Sequence, residues 1–218
     1  MPVLAYCVSL VSDNLTAPAT AVSNGRVQVA ENTMLRAWYS EIESGSFSGT
    51  EQVTKAALEF HRFVSTVFRD GTVLPFRFPT VLESVDDLLV HLDEKGVWYY
   101  EILQQIDGLA QFEARILSKT KLPSEAESGK AYLNARKQLR QRTANAVESL
   151  VTTLEPILED HDIRETQQAT RVYLLLQRSQ VTSFRDMAAK VAIPDGIEIR
   201  LTGPWPPTEF LEHDEDEQ

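Results

Sequence analysis

The side chains in this sequence with reactive or recognising chemistry are one cysteine, four histidines, a cationic run and an arginine set between prolines. Cys7 lies in the apolar stretch of residues 3–11, where a thiol is a small core residue rather than a nucleophile. A lone cysteine forms neither an internal disulfide nor a cysteine-based zinc cage. His61 follows Phe60 on an amphipathic segment and reads as a boundary histidine bonded to a backbone carbonyl, not as a general base. His91 points away from Leu88, Leu89 and Leu92, so solvent is its expected surrounding. His161 stands between Asp160 and Asp162, but adjacent residues at a helix end rarely converge on one metal, and a solvated turn is expected there. His213 falls in an acidic tail with no scaffold to fix a coordination geometry.

Arg77 is harder to set aside. It sits in Phe76-Arg77-Phe78 between Pro75 and Pro79, and its guanidinium must reach solvent or a carboxylate, since burying it unpaired is costly. An ion pair between elements and a partner contact would each satisfy it. Lys130, Arg136, Lys137, Arg140 and Arg142 form the one basic patch, with no acid between Lys130 and Val147. A solvated helix face or a neutraliser of the acidic first half is the simpler reading, and a contact with phosphate or an acidic partner the other. Tyr132 alone interleaves as an aromatic, fewer than single-strand stacking wants. Gly108, Gly129, Gly196 and Gly203 are isolated, so neither phosphate-loop nor dinucleotide spacing occurs. No catalytic, cofactor-binding or metal site is assigned.

Composition narrows the class further. The chain has 218 residues, 43% hydrophobic and 24% charged, which suits one or two globular domains. A formal charge of −11 disfavours nucleic acid and anionic membrane, which both reward lysine and arginine. No apolar run approaches a membrane span and the N-terminus lacks the features of a signal peptide, so a cytosolic protein is expected.

The elements that must position these residues follow from periodicity. Tyr6, Val8 and Leu10 alternate with Ala5, Cys7 and Ser9 as a first strand, and residues 12–25 are a polar loop. Residues 27–30 and 35–42 read as strands around a turn at Glu31-Asn32, and residues 44–49 as a linker. Val53, Ala56, Ala57, Phe60, Phe63, Val64, Val67 and Phe68 trace a helical stripe, with Ser48 and Glu51 as a capping box and Gly71 as its C′ residue. Residues 72–82 form a strand that Pro75 and Pro79 confine to an edge, bulge or bend. Two short helices follow, the first capped by Ser84, and residues 111–117 form a strand. This order predicts a compact α+β sandwich, sheet on one side and helices on the other, over residues 1–118.

The polar stretch 118–128 marks the expected boundary of a second α+β domain, residues 119–211, opened by a long helix from Tyr132 to Ile157 with Ser124 and Glu127 as a cap. Residues 159–162 are expected to break that helix, 163–168 to form a short strand, and 171–177 a central one. Ser179 is expected to cap a further helix, and a crossover puts the last strand in the sheet of residues 172–176. That last strand runs into Leu201-Thr-Gly-Pro-Trp-Pro-Pro207, a stiff strap expected to clamp Trp205 on the second domain. Residues 212–218 are an acidic tail expected to be disordered.

Three of these motifs in order, Val73-Leu-Pro-Phe-Arg-Phe-Pro-Thr-Val81 after the helix bearing His61, Ser128-Gly-Lys-Ala-Tyr-Leu133, and the strap with Gly203, Pro204, Trp205, Pro206 and Pro207, resemble the GvpL/GvpF family of gas vesicle proteins. The likeness runs from Leu4 to Phe210. It implies two α/β-sandwich domains joined through a long helix, the first a modified ferredoxin-like fold. It also implies a non-enzymatic, cofactor-free accessory protein of gas vesicle assembly that binds the hydrophobic shell protein and other accessory proteins in the cytoplasm. Pro79, where the family usually has glycine, and Thr208-Glu209, where an aromatic often stands, depart from the pattern, as does the region of Trp38-Tyr39. The alternative is a two-domain ligand- or protein-binding regulator unrelated to gas vesicles. Arg77 and the strap residues 203–207 are the candidate structural or partner-binding motif.

Overall fold

The computed structural model describes residues 1–43, 47, 49–119, 129–166 and 169–211. The Ser48 and Ser124 caps, most of the linker at 44–49, most of the boundary stretch at 118–128 and the acidic tail lie outside the described residues. The protein is α+β, with two compact units: Met1–Gly108 together with the segment from Trp205 onward, and Leu109–Pro204.

The first unit runs β1 (Val3–Leu10), β2 (Val27–Glu31), β3 (Leu35–Glu41), α1 (Thr50–Asp70), β4 (Leu74–Leu82), α2 (Val85–Glu94) and α3 (Gly96–Gln105). Its antiparallel sheet has the order β2-β3-β1-β4. Helices cover both faces of this sheet, where one covered face was expected. Tyr6 meets Phe60 and Phe63 of α1 at ring distances of 5.6 and 4.5 Å. Val3, Ala5 and Val8 instead join Leu88, Leu92, Tyr99 and Leu103 of α2 and α3 in one core. The strict alternation of Tyr6 with Val8 therefore fails. A register shift between Ala5 and Cys7 inserts a residue and sends Tyr6 and Val8 to opposite faces.

Turn chemistry fixes the next hairpin. Asn32 Oδ1 accepts from the amides of Met34 (3.0 Å) and Leu35 (2.8 Å), so the side chain closes the β2–β3 turn. Ser84 Oγ accepts from the Asp87 amide at 3.2 Å and starts α2 as expected. β4 lies at the sheet edge, the position its prolines require.

The second unit runs β5 (Leu109–Ser118), α4 (Gly129–Leu154), β6 (Asp160–Glu165), β7 (Thr170–Gln177), α5 (Val181–Ala188) and β8 (Ile197–Trp205), with sheet order β6-β7-β5-β8. β5, expected in the first domain, pairs with β7 from Leu109↔Gln177 to Ile116↔Thr170. Phe112, Ala114 and Ile116 enter the core of Leu150, Leu154, Leu174 and Phe184, and Phe112 stacks on Phe184 at 4.2 Å. Alternation identifies a strand but not the sheet that accepts it. The chain passes between the units at Gly108, whose φ of +70° suits glycine, and again at Pro204–Trp205, so α4 belongs to the second unit alone.

Two local expectations are corrected. Asp160, His161 and Asp162 lie on β6, not in a turn, and the helix ends one step earlier, in a 3₁₀ turn at Glu155–Ile157 carrying Pro156. Ser179 sits in another 3₁₀ turn, Arg178–Gln180, and the start of α5 has no side-chain cap. β8 shares the sheet of β7, with β5 between them.

Candidate partner-binding surface

α1 buries Ala56, Phe60, Phe63, Val64, Val67 and Phe68, the stripe that its sequence spacing dictates. Gly71, expected as the C′ residue of α1, has an extended φ of −177°, and a Cβ there would require the end of the Leu15 side chain to move aside. β4 pairs with β1 at Leu74 and Pro75 and again from Thr80 to Leu82, leaving residues 76–79 between the paired stretches. Their side chains part to the two faces of the sheet. Phe78 meets Phe60 at 5.2 Å, whereas Phe76 meets His91 and Tyr99 at 6.0 and 6.1 Å. Arg77 between them is exposed, and among the described residues its guanidinium has no carboxylate partner. Of its two possible satisfactions, the internal ion pair is not made among the described residues.

The strap places Trp205 against His61, with ring centroids 4.3 Å apart. Trp205 is partly buried and Pro206 and Pro207 are buried, while Leu211 packs on the first core. Trp205 therefore belongs to the first unit, not the second where it was expected. Proline stiffness predicted the rigid path, but where an extended strap docks depends on contacts far away in sequence. Gly203, in the second unit, has φ +132°, and a Cβ there would stand 2.7 Å from the Phe112 ring and 2.9 Å from the Gln111 carbonyl oxygen. Conformation and close approach both demand glycine.

Consecutive residues of α1 thus receive two of the sequence motifs: Phe60 takes Phe78 and His61 takes Trp205. Crowding lowers the pKa of His61, since partial burial penalises the imidazolium. Its expected backbone-carbonyl bond is not made among the described residues. His91, expected in solvent, is partly buried with Nε2 2.9 Å from the Tyr99 hydroxyl. No local spacing announces either contact, because both depend on tertiary packing.

Cys7 is buried and its pKa pushed up by desolvation, far from the thiolate that nucleophilic attack needs. Among the described residues no group of three His, Cys, Asp or Glu could hold a metal ion, and no helix is long and apolar enough to cross a membrane. A shallow cleft of about 370 Å³ is lined by Leu15, Val29, Glu31, Arg36 and Trp38 and shares no residue with the motifs.

Comparison with known proteins finds relatives over almost the whole chain. Gas vesicle protein L1 of Halobacterium salinarum is 25% identical, over 94% of this chain and 88% of its own length. Gas vesicle protein L of Haloferax mediterranei is 29% identical, over 88% and 72%. Among solved structures, gas vesicle protein GvpF of Anabaena sp. PCC7120 superposes with a TM-score of 0.76 over 97% of both chains at 13% identity. GvpF of Microcystis aeruginosa gives 0.74, covering 96% of this chain and 98% of that one, also at 13%. These structures share the two-unit fold, and a family-wide sequence match spans residues 2–212: the chain belongs to the gas vesicle synthesis protein GvpL/GvpF family.

Proposed function

We propose that the protein is a non-enzymatic accessory factor of gas vesicle assembly that binds the hydrophobic shell protein and other accessory proteins in the cytoplasm. Family membership supports the gas vesicle setting. The observation that carries the binding role is the meeting of Trp205 and the motif around Arg77 on α1, which leaves the indole partly exposed and the guanidinium exposed, with no carboxylate partner among the described residues. Tryptophan and arginine are the side chains that most often dominate an interface, through large rigid area and planar donors. Gly203, Pro204, Pro206 and Pro207 serve this reading by fixing the path that presents Trp205.

The test is co-purification of the tagged protein with the shell protein. Wild type should retain it. Arg77→Ala should lower recovery with an unchanged melting temperature, because an exposed unpaired side chain contributes little to folding. Full recovery with Arg77→Ala and Trp205→Ala would remove this surface from the function, and no recovery with wild type would remove the shell protein.

A further inference from the structure

Between Lys130 and Val147, α4 holds Lys130, Arg136, Lys137, Arg140 and Arg142 and no carboxylate, in a chain with 32 acidic and 21 basic residues. All five cations are exposed, and none pairs with a carboxylate among the described residues. The C-terminal part of the helix behaves differently. Ala146, Leu150 and Leu154 are buried, with Val147 and Val151 partly so.

The spacing of Leu154, Leu150 and Val147, four and then three residues apart, continues toward the N-terminus through Thr143 and Arg140 to Arg136 and Leu133. One seam therefore runs the length of the helix. It is apolar where it meets the core of the second unit and cationic beyond it. No residue from 129 to 145 is buried, and Leu133, at the outer end of the seam, is 63% exposed. Within this half Leu139 packs on the second core, while Leu133, Arg136, Lys137 and Arg140 stay exposed, and Arg136 and Arg140, four apart, repel each other. Carboxylates laid along it would relieve that repulsion, and an apolar side chain in register would cover Leu133. A polyphosphate chain fits less well, because the rest of the molecule is strongly acidic and Tyr132 offers the stretch its single aromatic.

We propose that the N-terminal half of α4 docks an acidic amphipathic helix of a partner protein, with Leu133, Arg136, Lys137 and Arg140 as the contact stripe. This extends the partner-binding reading but does not depend on the shell protein being the client. The contact geometry is helix on helix, because a seam of three- and four-residue steps accepts another seam of the same kind.

The test titrates full-length protein into a fluorescein-labelled synthetic three-heptad peptide with leucine at the seam and glutamate on the flanks. Controls are its lysine counterpart and an oligothymidine of matching charge. Wild type should bind the glutamate peptide at least tenfold more tightly than the lysine peptide, with affinity falling as salt rises. Leu133→Ala should weaken binding several-fold, and Arg136→Glu/Lys137→Glu/Arg140→Glu should reverse the preference at an unchanged melting temperature. Should the triple variant unfold, Lys137→Glu and Arg140→Glu singly should each reduce the preference. Equal binding of the two peptides, a preference that survives charge reversal, or displacement of the glutamate peptide by oligothymidine would each overturn the proposal. Failure of shell-protein co-purification alone would leave it standing.

Discussion

Replacing Trp205 by alanine separates anchoring from mere proximity. Truncating a fully buried tryptophan costs about 3–5 kcal/mol, and Trp205 is mostly but not fully covered, so somewhat less, about 2–3 kcal/mol, is expected. The loss should fall on the first unit. The three tryptophans, Trp38, Trp98 and Trp205, all belong to it, so tryptophan fluorescence during urea unfolding reports that unit even in the variant. With an m-value of about 2 kcal/mol/M the fluorescence midpoint should drop by about 1 M. The same substitution uncovers His61, whose pKa is lowered because burial disfavours its charged form. In the wild type the His61 of the unfolded chain binds more protons than that of the native one between the lowered pKa and the ordinary histidine value, so its contribution to stability rises with pH across that window and is constant outside it. In Trp205→Ala the window should narrow, and the His61 ring resonances should titrate at higher pH. A midpoint within about 0.2 M of wild type together with an unmoved His61 titration would refute the anchoring argument.

Other perturbations are simpler. Gly203→Ala should destabilise the second unit by about 2–4 kcal/mol, since it combines a disallowed φ with overlap onto Gln111 and Phe112; far-UV circular dichroism in urea measures it. Leu150→Ala, which empties a fully buried site under the second sheet, should cost about 2–5 kcal/mol by the same assay with the fluorescence midpoint unchanged. Ser84→Ala removes the bond to the Asp87 amide and should cost about 1 kcal/mol in the fluorescence-detected transition.

The sequence carried most of the elements and less of their assembly. The α1 stripe, the Asn32 turn, the Ser84 cap and the edge position of β4 were legible because each depends on neighbours within a few residues. The β1 bulge was not, because an inserted residue is defined only by two partner strands, β3 and β4. β5 is legible as a strand but its neighbours are not, since Phe112 and Ile116 alternate identically whichever sheet receives them. The same limit governed the site. Arg77 and the strap stood out by residue type, but His61, the surface on which Trp205 rests, read as an ordinary boundary histidine.

The motif residues divide by what the fold itself requires. Gly203 is demanded by its φ and by the closeness of β5, and Pro206 and Pro207 are buried, so stability alone explains them. Phe78 is explained in the same way by its packing on Phe60. Arg77 is not. An exposed guanidinium without a carboxylate among the described residues neither fills volume nor neutralises charge there, and many other side chains would serve an edge strand as well. Flanked by Phe76 and Phe78, which point to opposite faces, it is held outward on a backbone that prolines on either side stiffen. Preorganised presentation of a planar cation costs little on folding and lowers the entropy lost when a carboxylate or carbonyl meets it. Arg77 is therefore where binding and stability should separate most cleanly, whereas Trp205 should affect both.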